Sequence, residues 1–454
     1  MTSLKVNIDS SVIASTFADA PKFTVFTDRN IDKIPQFQQL PEALQHDIKV
    51  AASVFPFRVN TYVLDQLVGW DDPRNDAIFR LVFPQREMLE DEDYDKLSVL
   101  IKAGADKKAI AEVVAEIREK LNPHPAGQMD LNVPEAEGEK LDGIQHKYRE
   151  TVLFFPSQGQ TCHSYCTFCF RWAQFIGDSD LRFAAKEAEG LMDHLRANPD
   201  VTDILFTGGD PMVMKAKNLK AYLEPLLEPE FDHVRTIRIG TKSLTFWPYR
   251  FVTDADAEEV LELFRKVIAS GKHLAFMAHF NHWRELDTDI CREAIQRIRE
   301  TGAVIRTQAP LLRHINDSAE VWATMWQKQV ELGLIPYYMF VERDTGARHY
   351  FEVPLYKAHD IYRQAMRKVS GIARTVRGPS MSADPGKVEI SGITEINGEK
   401  VFVLRFIQGR NDDWVQRPFF AKYDENATWL NHLQPALGEE KFFYENEFEA
   451  MKEA

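Results

Sequence analysis

Cysteine is scarce in this chain of 454 residues: there are four, at positions 162, 166, 169 and 291. That disfavours a disulfide framework, which belongs to short, cysteine-dense secreted domains. No apolar run approaches the roughly 20 residues that cross a membrane. The first stretch, Met1 to Thr16, lacks the basic-then-apolar layout of a signal peptide. Reduced thiols without an export signal predict a cytoplasmic protein. Basic residues are in deficit, 55 against 69 acidic, for a net charge of −14. A nucleic acid held by bulk charge is therefore not an expected partner, and neither is a membrane. There is no low-complexity segment and no internal repeat beyond an alternation of strand-like and helix-like runs. The remaining composition is that of a globular protein. The length fits two or three structural units, or one large domain with extensions.

The scarce cysteines are concentrated. Three of them fall in Cys162-His163-Ser164-Tyr165-Cys166-Thr167-Phe168-Cys169, just after the apolar run Val152 to Phe155. Free cysteines are often small buried hydrophobes, but this density is not the pattern of chance burial. A Cys3His zinc site through His163 is one alternative, although structural zinc sites favour paired C-x2-4-C and H-x3-5-H groups. The spacing C-x3-C-x2-C instead suits iron. Three thiolates can hold three irons of a [4Fe-4S] cluster, which normally takes four cysteines. One iron is then left open to a small molecule.

Along the chain, residues 1–34 show little periodicity and predict an extended arm. Leu40 to Ala52 carries apolar residues at helical intervals, and Phe55-Pro56-Phe57 stops it. Asp71 to Asp76 is a turn by composition. Glu87 to Lys120 is charged and helix-rich, with an amphipathic helix from Lys107 to Leu121. Asn122 to Gly143 reads as a long exposed connection.

From residue 151 the pattern changes. Strands are predicted at Val152–Phe155, Ile204–Thr207, Thr236–Gly240, Leu274–His279, Val304–Gln308 and Pro336–Val341. Helices are predicted near Ala184–Ala197, Leu219–Leu227, Asp256–Ala269, Ile290–Thr301 and Ala319–Leu332. Such alternation predicts parallel β/α units. Six units fall short of the eight of a closed barrel, so the expected fold is α/β, an open, partial (β/α)6 barrel. An N-terminal helical extension (1–145) precedes the barrel (146–345), and a C-terminal extension (346–454) follows it. The cysteine loop sits after the first strand, at the strand end where α/β folds place their sites. Beyond Tyr356 come one more helix, a Gly-, Pro- and Ser-rich stretch from Thr375 to Lys387, and a strand at Val401–Phe406. The tail from Gly409 carries aromatics and acids and predicts only packing or subunit contact.

The three-cysteine loop resembles that of the radical S-adenosylmethionine (SAM) enzymes. Over roughly Leu40 to Ile390 the chain is similar to one branch of them, the lysine 2,3-aminomutase family. The matching stretches are Asn75-Asp76-Ala77-Ile78-Phe79-Arg80, His146-Lys147-Tyr148, Arg238-Ile239-Gly240-Thr241-Lys242, His279-Phe280-Asn281-His282, Leu311 to Asp317, and Pro336-Tyr337-Tyr338. The resemblance implies an isomerase that moves the α-amino group of an amino acid to the β carbon. It implies three cofactors: a [4Fe-4S] cluster, SAM and pyridoxal 5'-phosphate (PLP). Cys162, Cys166 and Cys169 would hold the cluster. Gly208, Gly209 and Asp210 would help to seat SAM, with His279 and Gln308 on later strand ends lining the same pocket. Arg171 would take the substrate carboxylate. Lys387 would tether PLP, and Lys147 and Tyr148 would lie on its phosphate side. Where the family pattern carries a further arginine on that side, this chain has Thr151. Lysine-specific members hold the distal ammonium with an aspartate; an ungapped comparison puts Arg343 there, between Glu342 and Asp344, and a slip of one residue puts Asp344 there instead. A guanidinium attracts a carboxylate and repels an ammonium, so an acidic amino acid such as glutamate is as fitting a substrate as lysine. Some members carry a C-terminal zinc site; no cysteine follows Cys291, so no zinc is expected. A flavodoxin or ferredoxin would supply the electron, and a homo-oligomer is expected. A second reading keeps this scaffold for PLP-independent hydrogen abstraction.

Overall fold

The structure, a computed structural model, describes residues 20–122, 132–136, 138–176, 183–185 and 188–453. Of the arm expected over residues 1–34, residues 1–19 lie outside the described residues, and from Val25 on the chain is more structured than an extended arm. β1 (Val25–Thr27) pairs antiparallel with β2 (Arg58–Asn60), with a short 3-10 stretch, Asp28–Lys33, between. The helix Glu42–Val54 buries Leu44, Ile48 and Ala51, four and three residues apart, and so turns one stripe inward. It ends where Phe55 precedes Pro56, a position that disfavours α backbone. The helix Ala77–Val82 starts on the Asp76 side chain, whose Oδ1 accepts from Phe79 N at 2.7 Å. The helix Lys107–Leu121 starts on Asp106, which accepts from Lys108 N and Ala109 N. These elements enclose an aromatic core that includes Phe37, Tyr62, Phe79 and Phe83. In the connection that follows, β3 (Glu135–Ala136) and β4 (Glu139–Lys140) form a minimal hairpin.

The rest of the chain builds one eleven-stranded sheet whose strands neighbour one another in chain order. β5 (Ile144–Tyr148) lies antiparallel at one edge. β6 (Thr151–Phe154), β7 (Asp203–Phe206), β8 (Thr236–Thr241), β9 (His273–His279), β10 (Val304–Leu311), β11 (Ile335–Val341) and β12 (Arg377–Ser382) then run parallel. β13 (Gly386–Ile396), β14 (Glu399–Gly409) and β15 (Pro418–Lys422) finish the other side as an antiparallel meander. Helices Glu189–Ala197, Ala216–Leu223, Ala257–Ala269, Asp289–Glu300 and Ala319–Glu331 return the chain between parallel strands. The parallel strands are buried, as sheets covered on both faces must be: Leu274 to Ala278 of β9 are all under 3 % exposed. Their core, with Phe154, Phe206, Phe276, Trp322 and Trp326, is separate from the N-terminal one. A third core, around Phe402, Phe406, Trp414 and Phe419, fills the meander.

All six predicted strands are present, each within three residues of its expected bounds. The parallel set, however, numbers seven. β12 comes from the Gly-Pro-Ser stretch, where Pro379 cannot donate to a ladder and the β11–β12 register shifts between Tyr338 and Phe340. Gly378 there has φ +144°, and a Cβ on it would lie 2.3 Å from the Met339 carbonyl. Only glycine fits so close an approach, and the same residue hides the strand from a propensity reading. Among the described residues, no helix is long and apolar enough to cross a membrane.

Candidate active site

The cysteine loop follows β6 and is tied down by the N-terminal extension. Tyr165 N donates to the Arg58 carbonyl at 2.8 Å, and Asn60 Nδ2 donates to the His163 carbonyl at 3.2 Å and to Ser164 Oγ at 3.1 Å. Thr167 donates through N to the Leu81 carbonyl (2.9 Å) and through Oγ1 to the Arg80 carbonyl (2.7 Å). Asn60 and Ser164 are at most 1 % exposed, so these bonds form away from water. The extension thus fixes the backbone between the cysteines. Cys169 N also donates to the Cys166 carbonyl at 3.1 Å, which tightens the turn.

The three thiols sense one another electrostatically. Burial pushes all three up, Cys169 to about 11, where the nearby Arg171 N–H and guanidinium pull the other way. Such thiols become thiolates only when a cation such as iron offsets the burial. Among the described residues, no three His, Cys, Asp or Glu side chains converge on a point where a single ion would sit. A cubane takes one thiolate per iron at separate corners, so thiols that serve one need not converge on a single point. The His163 ring is engaged elsewhere: its Nδ1 lies 3.0 Å from Ser243 Oγ, and burial holds its pKa down to about 3.

Beside the thiols, Arg171 is 6 % exposed. Burial lowers its pKa to about 10, against the pull of Cys169 and Cys162. One Nη2 donates to Gln174 Oε1 and, at 3.3 Å, to Gln160 Oε1. Its Nε is buried with no partner in the protein. An unmet donor on a buried guanidinium is costly, so the geometry suits an anion that would complete it.

The Gly208-Gly209-Asp210 turn after β7 packs on this loop. A Cβ on Gly208 (φ +133°) would fall 2.2 Å from Gln160 Nε2, and one on Gly209 would fall 2.5 Å from the Thr161 backbone. Asp210 is 2 % exposed and fully used by the protein. Oδ1 accepts from Met212 N (2.9 Å) and Thr241 Oγ1 (2.7 Å); Oδ2 accepts from Lys242 N (2.8 Å) and Ser243 Oγ (3.1 Å). Asp210 therefore latches the ends of β7 and β8 together. What this turn could offer a ligand is glycine backbone rather than the carboxylate.

Below it lies a buried ion pair. Lys242 Nζ is 2.7 Å from Glu285 Oε1, at 10 % and 0 % side-chain exposure, and also donates to Asn281 Oδ1 at 2.9 Å. On the next strand ends, Gln308 Nε2 and His279 Nε2 lie 2.6 Å apart. Burial, then Lys242, holds His279 down to about 3, so its ring is neutral.

The far side of the site is basic and aromatic. Lys387 stands on β13, with Nζ 4.6 Å from the Tyr338 ring centre and 3.2 Å from Gln408 Oε1. Burial, then Arg238 and Arg377, brings its pKa down to about 7. Lys147 Nζ donates to the Ala383 carbonyl at 2.6 Å. Burial lowers it to about 7 as well, with Arg410, Arg343 and Lys387 adding to the effect and Asp384 opposing it. Tyr148 is pushed up by burial among Tyr338, Arg410 and Arg343. Lys147, Tyr148 and Lys387, far apart in sequence, therefore share one environment. Arg343, whose buried Nε is also unpartnered, stacks 5.3 Å from the Phe170 ring. Glu342 beside it is raised well above the usual carboxyl range by burial and faces the Cys169 thiol electrostatically.

Arg410 is the residue that sequence reasoning missed. It lies in the tail expected only to pack, yet its Nε donates to the Asp384 carbonyl at 2.8 Å, next to the Ala383 carbonyl that holds Lys147. Asp412 reaches Arg149 at 3.5 Å across the same turn. A contact spanning more than 250 residues leaves no local signal.

No protein-family model matches the chain. A radical SAM methyltransferase from Sphaerobacter thermophilus is 13 % identical, covering 64 % of this chain and 93 % of its own, with a TM-score of 0.37. L-lysine 2,3-aminomutase of Escherichia coli is 27 % identical over 255 residues, 55 % of this chain and 69 % of that protein. A putative L-lysine 2,3-aminomutase of Aquifex aeolicus is 32 % identical over 406 residues, 89 % of this chain and 94 % of that protein. Likeness of that extent, over a chain whose strand ends gather the three thiols, makes this protein a member of the lysine 2,3-aminomutase family.

Proposed function

We propose that the protein is a radical SAM amino acid 2,3-aminomutase on a partial parallel barrel, with a [4Fe-4S] cluster, SAM and PLP, and that its substrate is an acidic amino acid of the glutamate type. The observation that carries PLP use is Lys387. A lysine attacks a carbonyl only when deprotonated, and burial beside Arg238 and Arg377 brings it to about 7. When bound, cluster and SAM supply a carbon radical, and PLP supplies the carbonyl that carries the migrating nitrogen. Cys162, Cys166 and Cys169 would hold the cluster, and the backbone of Gly208 and Gly209 would lie against SAM. Lys387 would tether PLP, with Lys147, Tyr148 and Arg410 toward its phosphate. The unpartnered Nε of Arg171 would take the substrate's α-carboxylate. The fold would keep water from the radical, a role the buried strand ends support.

Arg343 sets the choice of substrate. Its neighbours are Lys147, Tyr148 and a Glu342 driven toward its neutral form. A distal ammonium there would face the Arg343 guanidinium, whereas a distal carboxylate would complete its unmet Nε. The L-lysine 2,3-aminomutases among its relatives favour lysine instead, and the test separates the two. Reconstituted protein is incubated anaerobically with SAM, dithionite, PLP and a panel of amino acids, and β-amino products are read by mass spectrometry. β-Glutamate with little or no β-lysine is the expected result. β-Lysine alone refutes the substrate assignment, and SAM cleavage with no β-amino acid from any member refutes the aminomutase.

A further inference from the structure

A second cavity, of about 510 Å³, lies between the N-terminal helices and the loop after β10. Arg74, Arg80 and Arg313 line it together with His314 and His349, against one carboxylate, Glu87. Of these residues, Arg80 alone touches the site described above, through its backbone carbonyl. The rim is only loosely ion-paired: Arg74, with 56 % of its side chain exposed, comes no nearer than 3.5 Å to Asp47, and His349 Nδ1 lies 3.8 Å from Glu90. His314 has φ +71°, a left-handed conformation that is uncommon outside glycine. Backbone strain of this kind persists where the surroundings enforce it. Here it sets the His314 ring 4.5 Å from that of Tyr350 in the cavity wall.

The cavity backs directly onto the cysteine loop. Arg80, in its wall, is the residue whose carbonyl accepts from Thr167 Oγ1 at 2.7 Å, between Cys166 and Cys169. Phe168 meets Phe351 edge-on at 6.4 Å, and Phe351 follows Tyr350 in the chain. One short stack of residues therefore separates a basic surface from the thiols.

We propose that this basic cavity is the docking face for an acidic one-electron donor protein. The proposal rests on the radical reading, which needs an electron from outside. The donor would lose one electron and the cluster that Cys162, Cys166 and Cys169 would hold would gain it, with no bond between the proteins formed or broken. Redox encounters are small and weak, burying less than about 1,200 Å², so a compact charged face is enough. The net charge of −14 repels an acidic donor from the molecule as a whole. A local positive face is then what orients the encounter and raises its rate.

Flavodoxin serves as the probe. Reductive SAM cleavage by the reconstituted full chain is measured with dithionite and, separately, with reduced flavodoxin, for wild type and the Arg74→Glu/Arg313→Glu double variant. The flavodoxin-driven rate should fall about tenfold or more at low ionic strength, through a higher KM for flavodoxin, while the dithionite-driven rate holds. Added salt should slow the wild type with flavodoxin and hardly change the variant. Equal loss with both reductants, or loss with neither, overturns the proposal. If charge reversal lowers the melting temperature, Arg74→Gln/Arg313→Gln should give a smaller loss of the same sign; an unchanged flavodoxin KM overturns it. Calorimetric titration with oxidised flavodoxin reads docking even if SAM is never cleaved, so docking and the radical reading fail separately. Binding unaffected by the double reversal sinks the docking face.

Discussion

Lys387 shows how far one side chain's surroundings set its chemistry. Its folded pKa of about 7 lies below the usual 10.5 because burial and two guanidiniums disfavour the charged form. The native state therefore holds fewer protons at this position than the unfolded chain between those two values. Stability contributed by the site rises with pH across that window and is lowest below it. Replacing Lys387 by Met should raise the apo-protein's melting temperature most near pH 7 and below, with the gain fading as pH approaches 10.5. A gain that is independent of pH would mean that Lys387 is charged and solvated. The same substitution should abolish borohydride trapping of PLP on the protein. The sequence offered a lysine after Asp384-Pro385-Gly386, but not the arginines that neutralise it: Arg238 comes from β8 and Arg377 from β12.

At the scale of elements, the two extensions do much of the positioning. Asn60 of β2 and the carbonyls at the end of the helix Ala77–Val82 fix the cysteine loop. From the other side, the turn after β14 brings Arg410 to Lys147. The family pattern has an arginine where this chain has Thr151, and Thr151 is 7 % exposed at the start of β6, carrying no charge to offer. Arg410 supplies a cation in the same neighbourhood. Arg410→Ala should weaken PLP binding by roughly tenfold or more, the loss expected for one hydrogen bond to a charged group. Binding of pyridoxal, which lacks the phosphate, should barely change; absorbance titration reads both, and equal weakening would place Arg410 elsewhere. Strand alternation made the β/α core legible, since period and length mark buried strands and their return helices. β12 escaped because Gly378 and Pro379 look like a loop while sitting in the sheet. The tail's role escaped because nothing local marks which surface an arginine will meet.

In the molecule as a whole, the candidate site lies at the strand ends of one sheet, and the three hydrophobic cores divide the labour. The N-terminal core backs the cysteine loop, the central core carries the strands, and the C-terminal core presents β13 and Lys387. The cysteine loop was legible because closely spaced thiols are what an iron–sulfur cluster would require and the chain has one other cysteine. The proposed substrate preference was only half legible: Arg343 could be found by position, but its unmet Nε and the burial that raises Glu342 belong to the folded state. The three thiols are tested by electron paramagnetic resonance of the anaerobically reconstituted, dithionite-reduced protein before and after adding SAM. A reduced four-iron signal that changes on SAM addition, and is lost in Cys166→Ser, is the result foreseen. A colourless, zinc-loaded protein, or a cluster signal indifferent to SAM, would contradict it.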